Sequence, residues 1–485
     1  MEWEQLLCPD RIRSYKRSRP SNDLRSEFEK DYHRIIGSAS FRRLQDKTQV
    51  FPLDKSDFVR TRLTHSLEVS SFCKSLGQNI SRKILLEIQD ESFLPSYQAD
   101  VCDILQCAGL LHDIGNPPFG HFGENVIRKW FRENLPKIQY PVNLLDKSIG
   151  LDVTQSLSDI LTDEMQADFY NFEGNTQALR VVTKLHYLVD EHGMNLTKGL
   201  LGTIIKYPVS SLEIDKHSDN ICEHKMGYYY ADKETFDDIE ESLGLYGCRH
   251  PLTFVLEAAD DIAYRTADIE DAFKKGMISY NILLEELEKY GETEVPVEFA
   301  DEYDAVIEAL KYRHYKAAER GFTDADAYAI QNWIVTAQGR LIADATASFQ
   351  EHYSEIMDGC YNKELLEGTT GQYLVEVLGN IATKYAFKSS QITKIEIAAN
   401  KIISSHLDTF VPAILYYDTE KPLDEISERL ITFISDNYKS IYHIYSEGKS
   451  ETEKLYLRLL LVTDFVCGMT DSYAKRLFQE MNGDF

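Results

Sequence analysis

The strongest constraint in this chain is a period. Its clearest examples are Asp23–Ile36, Thr64–Ile88, Ala99–Leu111, Thr176–Val189, Leu252–Phe273, Val297–Lys316 and Lys454–Met481. In each, apolar residues recur at three- and four-residue spacing, which puts one oily stripe along a helix. Stripes of this kind must be buried against one another, and the thirteen prolines in 485 residues leave long helices intact. Strand signals are few. GYYYA at Gly227 is the best of them, and predicts a short hairpin or flap. Asp215–Thr235 is polar and irregular, and Gly291–Glu302 is acidic with a proline; both predict surface excursions. No internal repeat, low-complexity run or linker rich in Gly, Ser or Pro is present. The expectation is an all-α fold with at most a short β-hairpin. Residues 1–290 would form the first region and 291–485 a C-terminal helical region packed on it.

Composition narrows the classes of function. The content is 43% hydrophobic and 27% charged, ordinary for a soluble globular protein. No apolar run approaches the ~18 residues that span a bilayer, and the first twenty residues lack the apolar core of a secretion signal. Eight scattered cysteines never form CxxC, which fits buried thiols in a reducing cytoplasm. A net charge of −27 argues against a surface built to wrap nucleic acid. One local exception is a run of cations, Arg11, Arg13, Lys16, Arg17 and Arg19. It reads as a solvated arm, or as one that grips phosphate or bridges subunits.

Most of the thirteen histidines have no partnering pattern; His217, His224, His314, His352, His406 and His443 are of this kind. His65 and His112 differ. His65 lies in VRTRLTHSLEVS, and His112-Asp113 ends an apolar helix just where Asn116-Pro117-Pro118 forbids further winding. Two imidazoles and a carboxylate suit a hard or borderline divalent cation. A further ligand is expected from LEAADDIAY, where Asp260 and Asp261 sit in an apolar helix. Burying carboxylates there is costly without a cation. The pair reads as readily as a structural ion pair with Arg265 or another cation.

These pieces together resemble one family. His65, His112-Asp113 and Asp260 match the H…HD…D pattern of the HD-domain metallophosphohydrolases. The stretches FRRLQDKTQVFPL, RTRLTHSLEV, HDIGNPPFGHFGE, NFEGNTQALR, IIKYP and EAADDIAYRTADIEDA resemble, in order, those of deoxyguanosinetriphosphate triphosphohydrolases (dGTPases). DFVCGMTDSYA is similar to the family's closing helix, which extends the likeness over most of the chain. The resemblance implies an HD-domain helical fold with additional C-terminal helices, in a cytoplasmic homo-oligomer (dimer, tetramer or hexamer). It also implies cleavage of dGTP or another dNTP to a deoxynucleoside and triphosphate, which controls dNTP pools, with a nucleotide or single-stranded DNA as candidate effector. His65, His112, Asp113 and Asp260 would ligate one metal ion: Mn²⁺ or Mg²⁺ first, with Fe²⁺, Ni²⁺, Co²⁺ and Zn²⁺ as further candidates. His121 and Glu124 match the catalytic histidine and its carboxylate partner. Gln49 and Asp268 match residues holding the sugar 3′-hydroxyl, and Tyr264 the ring beneath the deoxyribose. Arg62, Lys206 and Tyr207 match phosphate contacts, and Asn175 falls in a family motif. The chain departs from the family at Tyr32 and His33, where members often carry Arg or Gly, and at Ser472, where a charged residue is common. Those departures bear on oligomeric contacts, effector response and base preference.

The chemistry agrees. Attack at an α-phosphorus needs its charge neutralised and its leaving alkoxide protonated, and a general acid contributes ~10²–10⁴-fold. His121 is suited, since Glu124 lies one helical turn on and would fix and charge the imidazole. The plain alternative is a turn residue with a capping role. Asp260, Tyr264 and Asp268 share one helix face at i, i+4, i+8, which lifts Tyr264 above ordinary core packing. Two other readings share the ligand set: a different HD-domain enzyme (nucleotidase, cyclic-nucleotide phosphodiesterase or alarmone hydrolase) and a non-catalytic nucleotide sensor.

Overall fold

A computed structural model describes residues 1–13, 22–51, 53, 58–149, 153–187 and 189–484. Within them the protein is built almost wholly of α-helices, joined by turns and one two-stranded sheet. The expected stripes become helices with ends set by their capping residues. Helix α1 (Glu27–Ile36) begins at Ser26 in a capping box with Glu29, four residues later than the period suggests, a cap worth ~1 kcal/mol. Helix α2 (Arg62–Lys83) is capped by Thr61 and continues as a single π-helical turn through Ile88.

Helix α3 (Tyr97–Leu111) lies against α2 at close range. Gly109 makes this possible: a Cβ there would stand 2.6 Å from the Ser70 backbone. On α2 the buried face runs His65, Val69, Cys73, Leu76 and Ile80, so the stripe that packs the core also carries a histidine. Helix α4 (Gly120–Asn134) follows the Pro-Pro turn. Further along are helix α5 (Gly174–Arg180), helix α6 (Lys198–Ile204) and the long α7 (Pro251–Lys274), which packs on α2 and α3. Helices α8 (Val297–Glu319) and α9 (Ala325–Glu351) pair with each other, and α9 also packs on α2 and α7. Helix α10 (Ser390–Ile414) lies on α4 and on α11 (Glu451–Cys467), and the last helix is α12 (Asp471–Met481).

The core has two apolar clusters. One gathers around α2, α3, α7, α8 and α9; the other joins α4 to α10 and α11. Both draw residues from either side of position 290. Polar staples tie distant segments together. Arg180 of α5 grips both Asp464 oxygens, with contacts of 2.8–3.1 Å, and lies 3.3 Å from Asp232, which also pairs with Lys184 at 2.7 Å. All four side chains are buried.

Several expectations are corrected. GYYYA is not a strand: Tyr230–Asp232 is a 3₁₀ turn, and Tyr228 and Tyr229 are buried core aromatics. The hairpin is instead β1 (Gln139–Pro141) against β2 (Thr154–Ser156). Lys454–Met481 breaks into α11 and α12 at Gly468–Thr470, where Thr470 caps the new helix. Thr176–Val189 stays α-helical only to Arg180 and closes as a π turn at Leu185. Gly291–Glu302 is no excursion: one helix runs to Thr293 and α8 resumes at Val297, with Pro296 at its N-cap. Asp215–Thr235 is irregular, yet Cys222, Met226 and Asp232 within it are buried. In the basic run, Arg11 is neither solvated nor a free phosphate grip, since it pairs with Glu27 at 3.0 Å and Asp31 at 2.6 Å. Arg13 pairs with Asp190. Lys16, Arg17 and Arg19 lie outside the described residues. No helix among the described residues is long and apolar enough to cross a membrane.

Candidate functional site

Three helices deliver the four residues of the expected metal set to one point. His65 stands in the first turns of α2, His112 is the C-cap of α3 with Asp113 just beyond, and Asp260 is midway along α7. His65 Nε2 is 3.1 Å from Asp260 Oδ1. His112 Nε2 is 3.4 Å from that same oxygen and 3.5 Å from Asp113 Oδ2. One ligand atom from each of His65, His112 and Asp113 lies within 4.8 Å of the others.

The hydrogen bonds behind these residues fit a cation. His112 Nδ1 meets the Gly109 carbonyl at 2.8 Å. Donation there leaves the Nε2 lone pair facing the carboxylates, the arrangement metal-bound imidazoles adopt. That Nε2 is buried and has no hydrogen-bond partner. Two half-buried carboxylates converging on imidazole nitrogens therefore make an N/O donor set able to hold a divalent ion. Burial works against the Asp113 carboxylate, yet Arg62, His112 and His65 hold its pKa below the usual range. Asp260 behaves likewise through His112, His65 and Lys206. Arg265 is not the partner of Asp260; Lys206 Nζ is, 3.6 Å from Oδ2.

Beside this cluster is a second pair. The chain turns through Pro117-Pro118, Phe119 takes the left-handed conformation at φ +62°, and α4 starts at Gly120. Gly120 has φ +59°, a conformation that favours glycine, and a Cβ on it would press on the Arg62 guanidinium at 2.5 Å. His121 is then in the first turn of α4, not at its cap. Its Nδ1 is 3.1 Å from Glu124 Oε2. The hydrogen bond and charge of Glu124 raise the imidazole pKa above its ordinary value. Glu124 is buried and accepts from the Gly174 N–H at 3.0 Å. Burial pushes its carboxyl up, but His121, Lys225 and Arg128 bring it below the usual range. His121 itself is exposed on the cavity side.

The cavity has a volume of about 450 Å³, the size of a nucleotide-scale ligand site. Gln49, Arg62, His65, Asp113, His121, Asp260 and Tyr264 all line it. Arg62 donates to Asp113 Oδ2 at 2.5 Å. Gln49 Oε1 is buried without a partner. His112, Glu124 and Lys206 stand behind lining residues, while Tyr207, Asp268 and Asn175 are not on the wall. The Tyr207 ring lies between Lys225 and Arg249. Asp268 is buried with both oxygens unpartnered, and burial raises its pKa well above normal. Asn175 donates to Glu173 at 3.0 Å, and Glu173 also holds Lys225 at 3.1 Å.

Sequence reasoning missed part of the wall. Arg265 lies one turn past Asp261 on α7, and that spacing is visible in EAADDIAYRTADIEDA. Phe387, Ile392, Ile395, Glu396 and Ala399, at and before α10, close the cavity from the C-terminal region. No motif marks them.

Comparison with known proteins bears on the same residues. A model of the HD domain matches residues 62–153, the stretch holding His65, His112, Asp113, His121 and Glu124. A deoxyguanosinetriphosphate triphosphohydrolase-like protein of Listeria monocytogenes is 47% identical, with both chains covered in full. The chain belongs to the deoxyguanosinetriphosphate triphosphohydrolase family. Other members include a protein of Synechocystis at 32% identity, covering this chain fully and 99% of its own. The deoxyguanosinetriphosphate triphosphohydrolase of Yersinia enterocolitica is 32% identical over 92% of each chain. As a family member carrying an HD domain, the protein is a hydrolase.

Proposed function

We propose that this protein is a metal-dependent deoxynucleoside triphosphate triphosphohydrolase, taking dGTP and water to deoxyguanosine and triphosphate. One observation carries the reading: a four-residue N/O donor set and the His121–Glu124 pair open on the same cavity, in a family member matched from end to end. The choice of dGTP rests on the name of the Yersinia enterocolitica relative.

His65, His112, Asp113 and Asp260 would hold one divalent ion, Mn²⁺ or Mg²⁺ before Fe²⁺, Ni²⁺, Co²⁺ or Zn²⁺. When bound, the ion supplies positive charge at the α-phosphoryl group. Arg62, Lys206 and Tyr207 neutralise and hydrogen-bond the rest of the triphosphate. Charged His121 gives its proton to the departing 5′-oxygen, and Glu124 keeps the ring charged and aimed. Gln49 binds the 3′-hydroxyl, which its unpartnered oxygen on the cavity wall supports, and Asp268, on the Asp260–Tyr264 face of α7, is the second candidate for that contact. The Tyr264 ring packs under the deoxyribose, so a 2′-hydroxyl would be buried without a partner. Asn175 supports Glu173, next to the acid pair. Residues 1–290 carry the chemistry and 291–485 complete the wall, in a homo-oligomer that adjusts cytoplasmic dNTP pools. The eight free cysteines fit that compartment.

Incubation with dGTP and Mn²⁺ should release deoxyguanosine and intact triphosphate, resolved by anion-exchange chromatography. Orthophosphate or pyrophosphate as first product would overturn the reading in favour of another HD-domain reaction.

A further inference from the structure

The closing motif DFVCGMTDSYA has no part in the chemistry above, yet its turn grips the segment bearing Gln49. Lys47 Nζ donates to the Cys467 carbonyl at 2.7 Å and, at 2.5 Å, to the carbonyl of Asn116. Ser472 Oγ donates to Asp46 at 2.8 Å. Between these, the buried Asp471 carboxylate is divided. Its Oδ2 accepts from the Thr48 N–H at 3.0 Å and from the Thr48 hydroxyl, while Oδ1 accepts from the Phe119 N–H at 2.9 Å.

Both partners line the cavity, from two different segments of the chain. Thr48 precedes Gln49, and Phe119 is the left-handed residue two positions before His121. The Phe119 N–H lies at the α4 N-terminus, where no side chain of the local sequence caps the helix. A carboxylate from far along the chain does so instead.

We propose that Asp471 is a positioning residue for the reaction. Its two oxygens fix the distance between the Gln49 loop and the start of the His121 helix. Substrate held at Gln49 thereby meets His121 within proton-transfer reach. Misplacement by about 1 Å can cost ~10²-fold in rate. Charge matters as well as shape, because both oxygens accept. An amide of the same size offers one acceptor and turns two N–H donors towards the other backbone donor.

This inference rests on the hydrolase reading above, and its test separates the two. Asp471→Asn and Thr48→Val are compared with wild type for dGTP turnover, Mn²⁺ affinity by calorimetry and peptide-resolved hydrogen exchange. The expected result for Asp471→Asn is a kcat lowered ~10-fold or more. Mn²⁺ affinity should stay within twofold, and exchange should be faster in 46–49 and 117–121 only. Thr48→Val, which removes one donor and keeps the shape, should show the same pattern more weakly. Wild-type kcat in both variants overturns the proposal, and so does a rate loss with exchange raised evenly over the whole chain. Should Asp471→Asn fail to fold, Thr48→Val decides alone: unchanged kcat and unchanged local exchange would overturn it. Wild-type protein that releases no triphosphate refutes the hydrolase reading, while the exchange comparison still reports whether Asp471 fixes the two segments.

Discussion

His121 and Glu124 show how a single contact sets a working range of pH. Glu124 raises the His121 pKa, so the proton persists past the pH at which a free imidazole has lost it. Activity that needs protonated His121 should decline as pH rises through that raised value. Glu124→Gln removes the cause, and the alkaline limb of the kcat–pH profile should move to lower pH. His121→Ala should lower kcat ~10²–10⁴-fold while calorimetry shows Mn²⁺ binding retained. Loss of Mn²⁺ binding in that variant would mean that His121 belongs to the donor set instead. At this scale much was legible in the sequence. His65, His112-Asp113 and Asp260 are few and chemically distinctive, and Asp260 shares one face of α7 with Tyr264 and Asp268. Glu396 and Ile392 were not legible, because an ordinary helix residue becomes a cavity wall only through contacts across the fold.

Helices here do two jobs, and their entry turns hold the most exposed compromises. Gly120 begins α4 in the left-handed region beside Arg62. Gly120→Ala should cost ~1–2 kcal/mol for the backbone alone, seen as a lower urea midpoint, and should displace Arg62 with a loss of turnover. The staple between α5 and α11 is more demanding. Arg180→Ala leaves Asp464 and Asp232 buried with poorer compensation, a loss of ~3–5 kcal/mol, measurable by urea denaturation. Helical periodicity located most elements, since amphipathic stripes survive any tertiary context. It failed where periodicity ran on across a break: Gly468–Thr470 interrupts a pattern whose apolar spacing continues into α12. It failed again at GYYYA, where aromatic residues that favour strands serve as core packing. The actual strands, QYP and TQS, are too short to register a period.

For the whole molecule, charge and metal set the terms of stability. A net charge of −27 makes the compact state repel itself. Screening by 0.3 M NaCl should therefore raise the melting temperature, measured by calorimetry. Removal of divalent ions with EDTA should lower it, and readdition should restore it. At a hundred times the dissociation constant, a ligand that binds only the folded state adds ~2.7 kcal/mol. A melting temperature indifferent to Mn²⁺ would argue against the donor set.

The long reach of the 464–471 turn also bears on how the protein is made. Arg180 and Lys47 leave the ribosome nearly three hundred and more than four hundred residues before the groups at 464 and 467 that receive them. Until those last helices are translated, two buried cations each lack one of their partners and the Gln49 loop lacks the Asp471 carboxylate that holds it. A nascent chain holding every residue of the HD motif is thus still an unfinished enzyme, and a premature stop before Asp464 removes the closure as surely as the loss of a ligand would.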